Sequence, residues 1–196
     1  MPRFFTFLVL GLLSQTSYAI DIFALGTSNT NCRAGGNAFT ANLEVLLSES
    51  GVNARVINAG IDGDRPVFMM SRLEQGLNAF PNTKIVIFEP GPNERNVSFA
   101  TPYIDKILAF LQEKKITTVY ISSDFIQPTQ EARVTAEKYG AFYDGPWQKG
   151  VPVNRENFTF DGVKWAGGHM AEGGCKLRAK NLLPTVLKAI KENNIQ

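Results

Sequence analysis

Short apolar segments with strand character alternate with amphipathic helical patterns along almost the whole chain, and this alternation restricts the fold more than any other feature. The strand candidates are residues 21–25, 54–58, 84–89, 117–122 and, more weakly, 141–143. Repeated strand–helix units form a parallel sheet that is covered by helices on both faces. The sequence therefore predicts the α/β class: one three-layer α/β/α domain around a parallel, roughly five-stranded sheet.

The helical segments lie between these strands. Apolar residues recur at helical spacing at Phe39, Leu43, Leu46 and Leu47, in residues 67–77 after Pro66, at Ile104, Ile107, Leu108 and Leu111, in residues 131–139, and from Leu177 to Ile190. Pro184 lies inside the last helix and is expected to kink or interrupt it. Residues 144–168 receive no element, and connections of this length are usually functional or locally structured.

The N-terminus has the pattern of an export signal. Arg3 is followed by the apolar run 4–13, and Ser17 and Ala19 are the small residues of a cleavage site. We predict a signal peptide over residues 1–19 and a single domain over residues 20–196, in a secreted or periplasmic protein. The apolar run is too short to form a membrane-spanning helix, which favours a cleaved signal peptide. The alternative interpretation is an uncleaved membrane anchor.

The charge balance excludes an obvious polyanion-binding protein. The chain has 20 Lys and Arg against 18 Asp and Glu, for a net charge of +2. The basic residues are scattered rather than clustered, so no nucleic-acid partner is predicted. Any partner must be inferred from the chemistry of a site.

The predicted strand ends bring a set of reactive residue types together. Ser28 follows the first strand, Gly63 follows the second and Asn93 follows the third, while Asp161 and the chain's one histidine, His169, precede the last helix. In parallel α/β sheets ligands bind at the carboxyl ends of the strands. A serine, a histidine base and fixed N–H donors are the set that acyl transfer requires. Each residue also has a structural alternative: a helix cap, a tight turn or a bond within its own loop.

Four separated segments resemble, in order, the conserved blocks of the SGNH hydrolases, which are also called GDSL esterases and lipases. These are residues 26–30, 58–64, 91–94 and 169–173. The resemblance implies a flavodoxin-like sheet and metal-independent hydrolysis of esters or thioesters, with no cofactor. It assigns Ser28 as nucleophile, His169 as base, and Gly63 and Asn93 as oxyanion donors.

The chain departs from the family pattern at three positions. Thr27 replaces the usual Asp, but it flanks the nucleophile and need not touch the chemistry. Glu94 replaces another Asp and keeps a carboxylate. The family Asp lies three residues before the His, where this chain has Ala166. We interpret residues 165–168 as a local insertion that lets Asp161 reach His169; the alternative is that a backbone carbonyl orients the histidine.

Cys32 and Cys175 are the chain's two cysteines, and an oxidising compartment favours their pairing. They lack the spacing of metal ligands, and with one histidine they make a poor zinc set. In a flavodoxin-like arrangement the first and last helices lie side by side, which predicts a disulfide between them. Two unpaired thiols are the alternative.

The leading functional prediction is an exported serine esterase that acts on small or medium acyl esters or thioesters. The substrate is expected to be a small-molecule, lipid or carbohydrate acyl ester. Two alternatives remain open: a catalytically silent module that binds an envelope glycan or a partner protein, and an acyltransferase to carbohydrate. Trp147 and Trp165 either form a platform for a sugar or acyl chain or pack over the core edge.

Overall fold

A parallel sheet forms the centre of the fold. The computed structural model describes residues 20–160 and 169–196. Its strands are β1 (Ile20–Gly26), β2 (Ala54–Gly60), β3 (Thr83–Phe88), β4 (Thr117–Ser122) and β5 (Phe142–Pro146). All strand pairs are parallel, in the order β2-β1-β3-β4-β5. This is the flavodoxin-like order of doubly wound folds, so the predicted fold class is confirmed.

Helices cover both faces of the sheet. They are α1 (Ala38–Glu49), α2 (Pro66–Ala79), α3 (Val97–Glu113), α4 (Thr129–Lys138) and α5 (Glu172–Glu192). Helices α1 and α5 pack on one face and α2, α3 and α4 on the other, each face with its own apolar core. All seven residues of β1 are buried, which is why this central strand is almost entirely apolar.

Two predicted element boundaries need correction. Helix α5 continues through Pro184, so the predicted interruption is wrong, while the alternative of a kink at Pro184 stays a prediction. The proline removes one backbone hydrogen bond, but the helix is held on the sheet by buried residues on both sides of it, Leu182 and Val186. Strand β5 also extends past the predicted end at residue 143, and its Asp144 is buried.

Within the described residues, no helix combines the length and apolar character that crossing a bilayer requires. The predicted signal peptide, residues 1–19, lies outside the described part of the chain.

Candidate active site

The structure brings Ser28 and His169 together at the carboxyl edge of the sheet. Ser28 lies just after β1, and His169 lies just before α5. Ser28 Oγ and His169 Nε2 are 2.9 Å apart although 141 positions separate the residues in the sequence. Ser28 is buried and His169 is half-buried. A hydroxyl in hydrogen-bond contact with an imidazole is the arrangement that activates a serine as a nucleophile.

The surroundings of His169 favour its neutral form. Burial lowers the pKa of the imidazole below its ordinary value of 6.5, and the positive charge of Arg33 lowers it further. The carboxylate of Asp62 acts in the opposite direction, and Arg33 and Asp62 form an ion pair at 3.3 Å. A neutral imidazole can accept a proton, which is the state that a general base needs.

The backbone of His169 and of the two residues after it is bound to the preceding connection and to the segment after Ser28. The His169 carbonyl accepts hydrogen bonds from the Thr159 N–H at 2.8 Å and from the Thr159 hydroxyl at 3.1 Å. Met170 forms a β-bridge with Phe158, and Ala171 forms one with Ala34. These contacts fix the backbone from which the His169 side chain extends towards Ser28. Thr159 was not identified from the sequence.

Glycine is required at the start of α5 for this arrangement. A Cβ atom at Gly174 would lie only 2.2 Å from the carbonyl oxygen of Asn157. The Asn157 carbonyl also accepts a hydrogen bond from the Ala171 N–H at 2.9 Å, which holds this part of the connection against the start of α5. The two consecutive glycines after Glu172 therefore let the connection pass close to the helix start.

A disulfide joins the nucleophile segment to α5. The structure contains the Cys32–Cys175 bond that the sequence analysis predicts, and both residues are buried. Cys32 lies in the turn after Ser28, where the Arg33 N–H donates to the Ser28 carbonyl at 3.0 Å. The bond closes a loop with a sequence separation of 143 residues. It connects the segment of the serine covalently to the helix that follows the histidine.

A fully buried carboxylate lies beneath the nucleophile loop. Glu89, which follows β3, accepts hydrogen bonds from Thr27, Asn29 and Thr30. Burial raises the pKa of Glu89, and the hydrogen bonds from these three residues partly offset that effect. From the sequence, Glu89 was predicted only as the last residue of the strand 84–89, and Thr27 was expected to have no part in the chemistry. The available signal was an acidic residue placed directly after a buried apolar strand.

The two predicted oxyanion residues lie on adjacent loops. Gly63 has a positive φ of 75°, a conformation that favours glycine. Among residues 20–160 and 169–196, no acceptor is found for its N–H. The Asn93 side-chain amide donates to the Asp64 carbonyl at 2.9 Å. Since an amide nitrogen carries two N–H donors, this bond leaves one donor for a substrate oxygen.

Arg72 braces the Gly63 loop, and it too was not identified from the sequence. Its guanidinium donates to the Ala59 carbonyl at 2.7 Å and to the Gly26 carbonyl at 3.2 Å, and it forms a partly buried ion pair with Asp64. It therefore connects the ends of β1 and β2 to the residue after Gly63. A rigid loop at this position is what a fixed oxyanion donor requires.

The remaining sequence candidates have different outcomes. Asp161 and Trp165 lie outside the described residues, so the predicted orienting role of Asp161 stays a prediction. Trp147 packs in the core: it is 4% exposed and its ring lies 5.0 Å from that of Phe39 in an edge-to-face contact. Of the two alternatives for Trp147, the structure supports packing against the core and not a platform for a sugar or acyl chain.

Known structures resemble this chain over most of its length. No protein-family model matches the sequence, and no curated protein matches it significantly. AlinE4, an SGNH-hydrolase family esterase, is 25% identical, with a TM-score of 0.64 over 89% of this chain and 98% of its own. TesA is 17% identical, with a TM-score of 0.74 over 86% of this chain and 99% of its own.

A third neighbour is the psychrotrophic esterase EstA from Pseudoalteromonas sp., in a structure inhibited by monoethylphosphonate. It is 14% identical, with a TM-score of 0.72 over 87% of this chain and 98% of its own. The likeness to AlinE4 confirms the resemblance to the SGNH hydrolases, and the likeness to TesA and EstA confirms the fold.

Proposed function

We propose that this chain, whose fold is that of the SGNH hydrolases, is a serine hydrolase that cleaves carboxylic esters, with Ser28 as nucleophile and His169 as general base. The observation that carries this proposal is the 2.9 Å contact between Ser28 Oγ and His169 Nε2 at the carboxyl edge of the sheet. The esterases among the structural neighbours support the same class of reaction.

The proposed reaction has two steps. Ser28 Oγ attacks the acyl carbon while its proton moves to His169 Nε2. The Gly63 N–H and the Asn93 amide stabilise the negative oxygen of the tetrahedral intermediate. The intermediate collapses to an acyl-enzyme, and the alcohol or thiol leaves with the proton from His169. Water then repeats the sequence, releasing the acid and restoring the serine.

Exposed apolar side chains around the catalytic edge support an acyl group of small or medium length as the substrate. They lie on the connections that follow the strands or in the first turn of the next helix, and they are Ile61, Phe68, Val97, Phe99, Phe125 and Val153. Apolar surface in such a position can cover the hydrocarbon part of a substrate while the ester reaches the serine.

Export to the periplasm or the medium is part of the proposal. It is supported by the signal-like residues 1–19 and by the disulfide, because disulfides persist in oxidising compartments. Fractionation of cells that express the full chain tests it, together with the N-terminal sequence of the mature protein. Recovery of uncleaved protein in the cytoplasm alone would contradict export.

Hydrolysis of p-nitrophenyl esters tests the proposed chemistry. The protein should cleave acetate or butyrate esters without added metal and should be labelled by a serine-directed phosphonate. Ser28→Ala and His169→Ala should each lower kcat by on the order of 10⁵–10⁶, because nucleophile and base act as one unit. Ser71→Ala, which changes an exposed serine on α2, is the matched control and should leave kcat unchanged.

Two outcomes would contradict the proposal. Turnover that persists in Ser28→Ala would assign the activity to another group. Absence of turnover over a panel of acyl chains, with no phosphonate adduct, would favour a catalytically silent binding protein. A panel that adds carbohydrate acceptors separates hydrolysis from acyl transfer, because a transferase makes an acylated sugar instead of free acid.

A further inference from the structure

Glu89 is connected to every residue that immediately surrounds Ser28. One carboxylate oxygen, Oε2, accepts hydrogen bonds from the Thr27 N–H at 3.0 Å, from the Thr27 hydroxyl at 2.9 Å and from the Thr30 hydroxyl at 3.1 Å. The other oxygen, Oε1, accepts from the Asn29 side-chain amide at 3.4 Å. The residues directly before and after the serine, and the next one, are thus bound to one side chain.

The chemistry of these contacts matches a carboxylate. All four groups are donors, and an ionised carboxylate is the side chain that accepts at both oxygens and donates at neither. Glu89 is 0% exposed, so water does not compete for these bonds. Burial raises the pKa of Glu89, but the four donors favour its ionised form. Hydrogen bonds to an ionised acceptor are roughly twice as strong as those between neutral groups. The loop therefore has a strong common anchor.

The backbone at the end of β1 leaves space for the Glu89 carboxylate. A Cβ atom at Gly26 would lie 2.8 Å from Glu89 Oε2 and 2.0 Å from the Thr30 hydroxyl oxygen, so the last residue of β1 must be glycine. The Glu89 N–H also donates to the Leu25 carbonyl at 2.9 Å. Glu89 is thus bound to β1 through its backbone N–H and to the nucleophile loop through its side-chain carboxylate.

We infer that Glu89 is a positioning residue for the nucleophile: its carboxylate, bound to Thr27, Asn29 and Thr30, holds the Ser28 loop so that Ser28 Oγ faces His169. This inference rests on the proposed function. Glu89 does not contact the Ser28 hydroxyl; it acts through the neighbours of the serine. Thr27 has a defined part in this, since its hydroxyl supplies a donor to Glu89 where an Asp would place a second carboxylate.

Substitutions that each remove one donor test the inference. Thr27→Val and Thr30→Val keep the β-branched shape and remove a single hydroxyl contact to Glu89. Thr27→Ser restores the donor at the first position. Glu89→Gln keeps one acceptor oxygen but removes the charge. The matched control is Thr83→Val at the opposite end of β3, where a buried threonine hydroxyl donates to the Phe80 carbonyl at 2.7 Å.

The measurements are kcat and KM for a p-nitrophenyl ester, the rate of labelling by a phosphonate, and the melting temperature. Thr27→Val and Thr30→Val should each lower kcat and the labelling rate by about three- to tenfold with KM nearly unchanged, as expected for one lost hydrogen bond that aligns the nucleophile. Glu89→Gln should lower both rates by about tenfold or more, and Thr27→Ser should recover most of the loss. Thr83→Val should lower only the melting temperature.

The inference is overturned if Thr27→Val and Thr30→Val behave like Thr83→Val, with lower melting temperatures but with kcat and labelling within about twofold of the wild type. In that case the wild-type protein is still labelled, so the proposed function stands and Glu89 only supports the fold. A wild-type protein that is neither active nor labelled by the phosphonate refutes the proposed function, and the inference with it.

Discussion

The two sides of the candidate active site are held by different kinds of interaction. On the serine side, the loop after β1 is bound to Glu89, a fully buried residue that directly follows the central strand β3. On the histidine side, His169 follows a long connection and is held by Thr159, by two isolated β-bridges and by the nearby disulfide. The serine is placed by the sheet; the histidine is placed by contacts between loops and by a covalent bond.

The difference suggests which side is easier to disturb. A buried hydrogen-bond network changes only when the core around it changes. Isolated bridges at a helix start have fewer neighbours to support them, and segments of this kind open locally more easily than core strands. We therefore expect changes on the histidine side to lower activity under conditions that leave the sheet folded.

Among the substitutions that compare the two sides of the site, Asp161→Asn on the histidine side is expected to have the largest effect on kcat. If Asp161 orients His169, the substitution should lower kcat by on the order of 10²–10⁴ without unfolding the protein, as for other triad carboxylates. The matched control is Asp124→Asn, which changes an exposed aspartate in the connection after β4. An effect under about threefold in steady-state kinetics would assign the orienting role to another group, such as a backbone carbonyl.

Asn93→Ala tests the oxyanion donor on the serine side of the comparison. The substitution should lower kcat by about 10²–10³ with little change in KM, because the interaction forms mainly in the transition state. Asn96→Ala is the matched control: Asn96 caps α3 by accepting from the Phe99 N–H. It should lower stability by about 1 kcal/mol and leave kcat unchanged. A change in KM alone for Asn93→Ala would make Asn93 a substrate-binding residue instead.

Opening the disulfide should affect the histidine side first. Replacing Cys32 and Cys175 by serine should lower the free energy of unfolding by about 2–4 kcal/mol. Activity should decline at a lower temperature than the one at which the fold melts, since the bond ties the serine segment to the helix after His169. Unfolding and loss of activity are measured as functions of temperature on the same samples. Thiol titration of the denatured, unreduced wild-type protein checks that the disulfide is present. About two free thiols per denatured chain, or identical curves, would contradict the prediction.

The sequence predicted the parts of this molecule in which local pattern and tertiary environment agree. Strands such as β1 and β3 are apolar because both faces of the sheet are covered, so their residues identify them directly. The Ser28–His169 pair followed from their positions relative to predicted strand ends. Both residues lie where parallel strands deliver loops to one edge of the sheet, and the structure places them in contact.

Buried charges were the main features that the sequence could not predict. Asp144 was the first residue of the segment 144–168, which received no predicted element, yet it lies in β5 and forms a buried ion pair with Arg178 of α5 at 2.6 Å. Glu89 was predicted as the last residue of the strand 84–89 and received no role, whereas the structure places it directly after β3 with its carboxylate fully buried. Their partners are distant in sequence or of a type that usually faces solvent, so only the tertiary structure shows how the charge is compensated.

The smallest expected effect is a shift in the pH dependence of kcat/KM, which reports the pKa of His169. Because burial and Arg33 lower the pKa of His169 below 6.5, the base stays neutral to lower pH than an ordinary imidazole. Activity should therefore be lost as pH falls through this lowered pKa, and the acid limb of kcat/KM should have its midpoint below 6.5. The histidine's contribution to stability has the same sign: it is present above the ordinary pKa and is lost as the solution becomes more acidic.

Two substitutions around His169 should move that acid limb in opposite directions. Arg33→Gln removes a positive charge and should raise the midpoint, whereas Asp62→Asn removes a negative charge and should lower it. Each shift should be small, because the Arg33 and Asp62 side chains are 60% and 39% exposed and water screens their charges. Profiles of kcat/KM measured at fixed ionic strength decide this. Shifts in the same direction for both variants would mean that the two charges act on the histidine through a change in its position rather than through their fields.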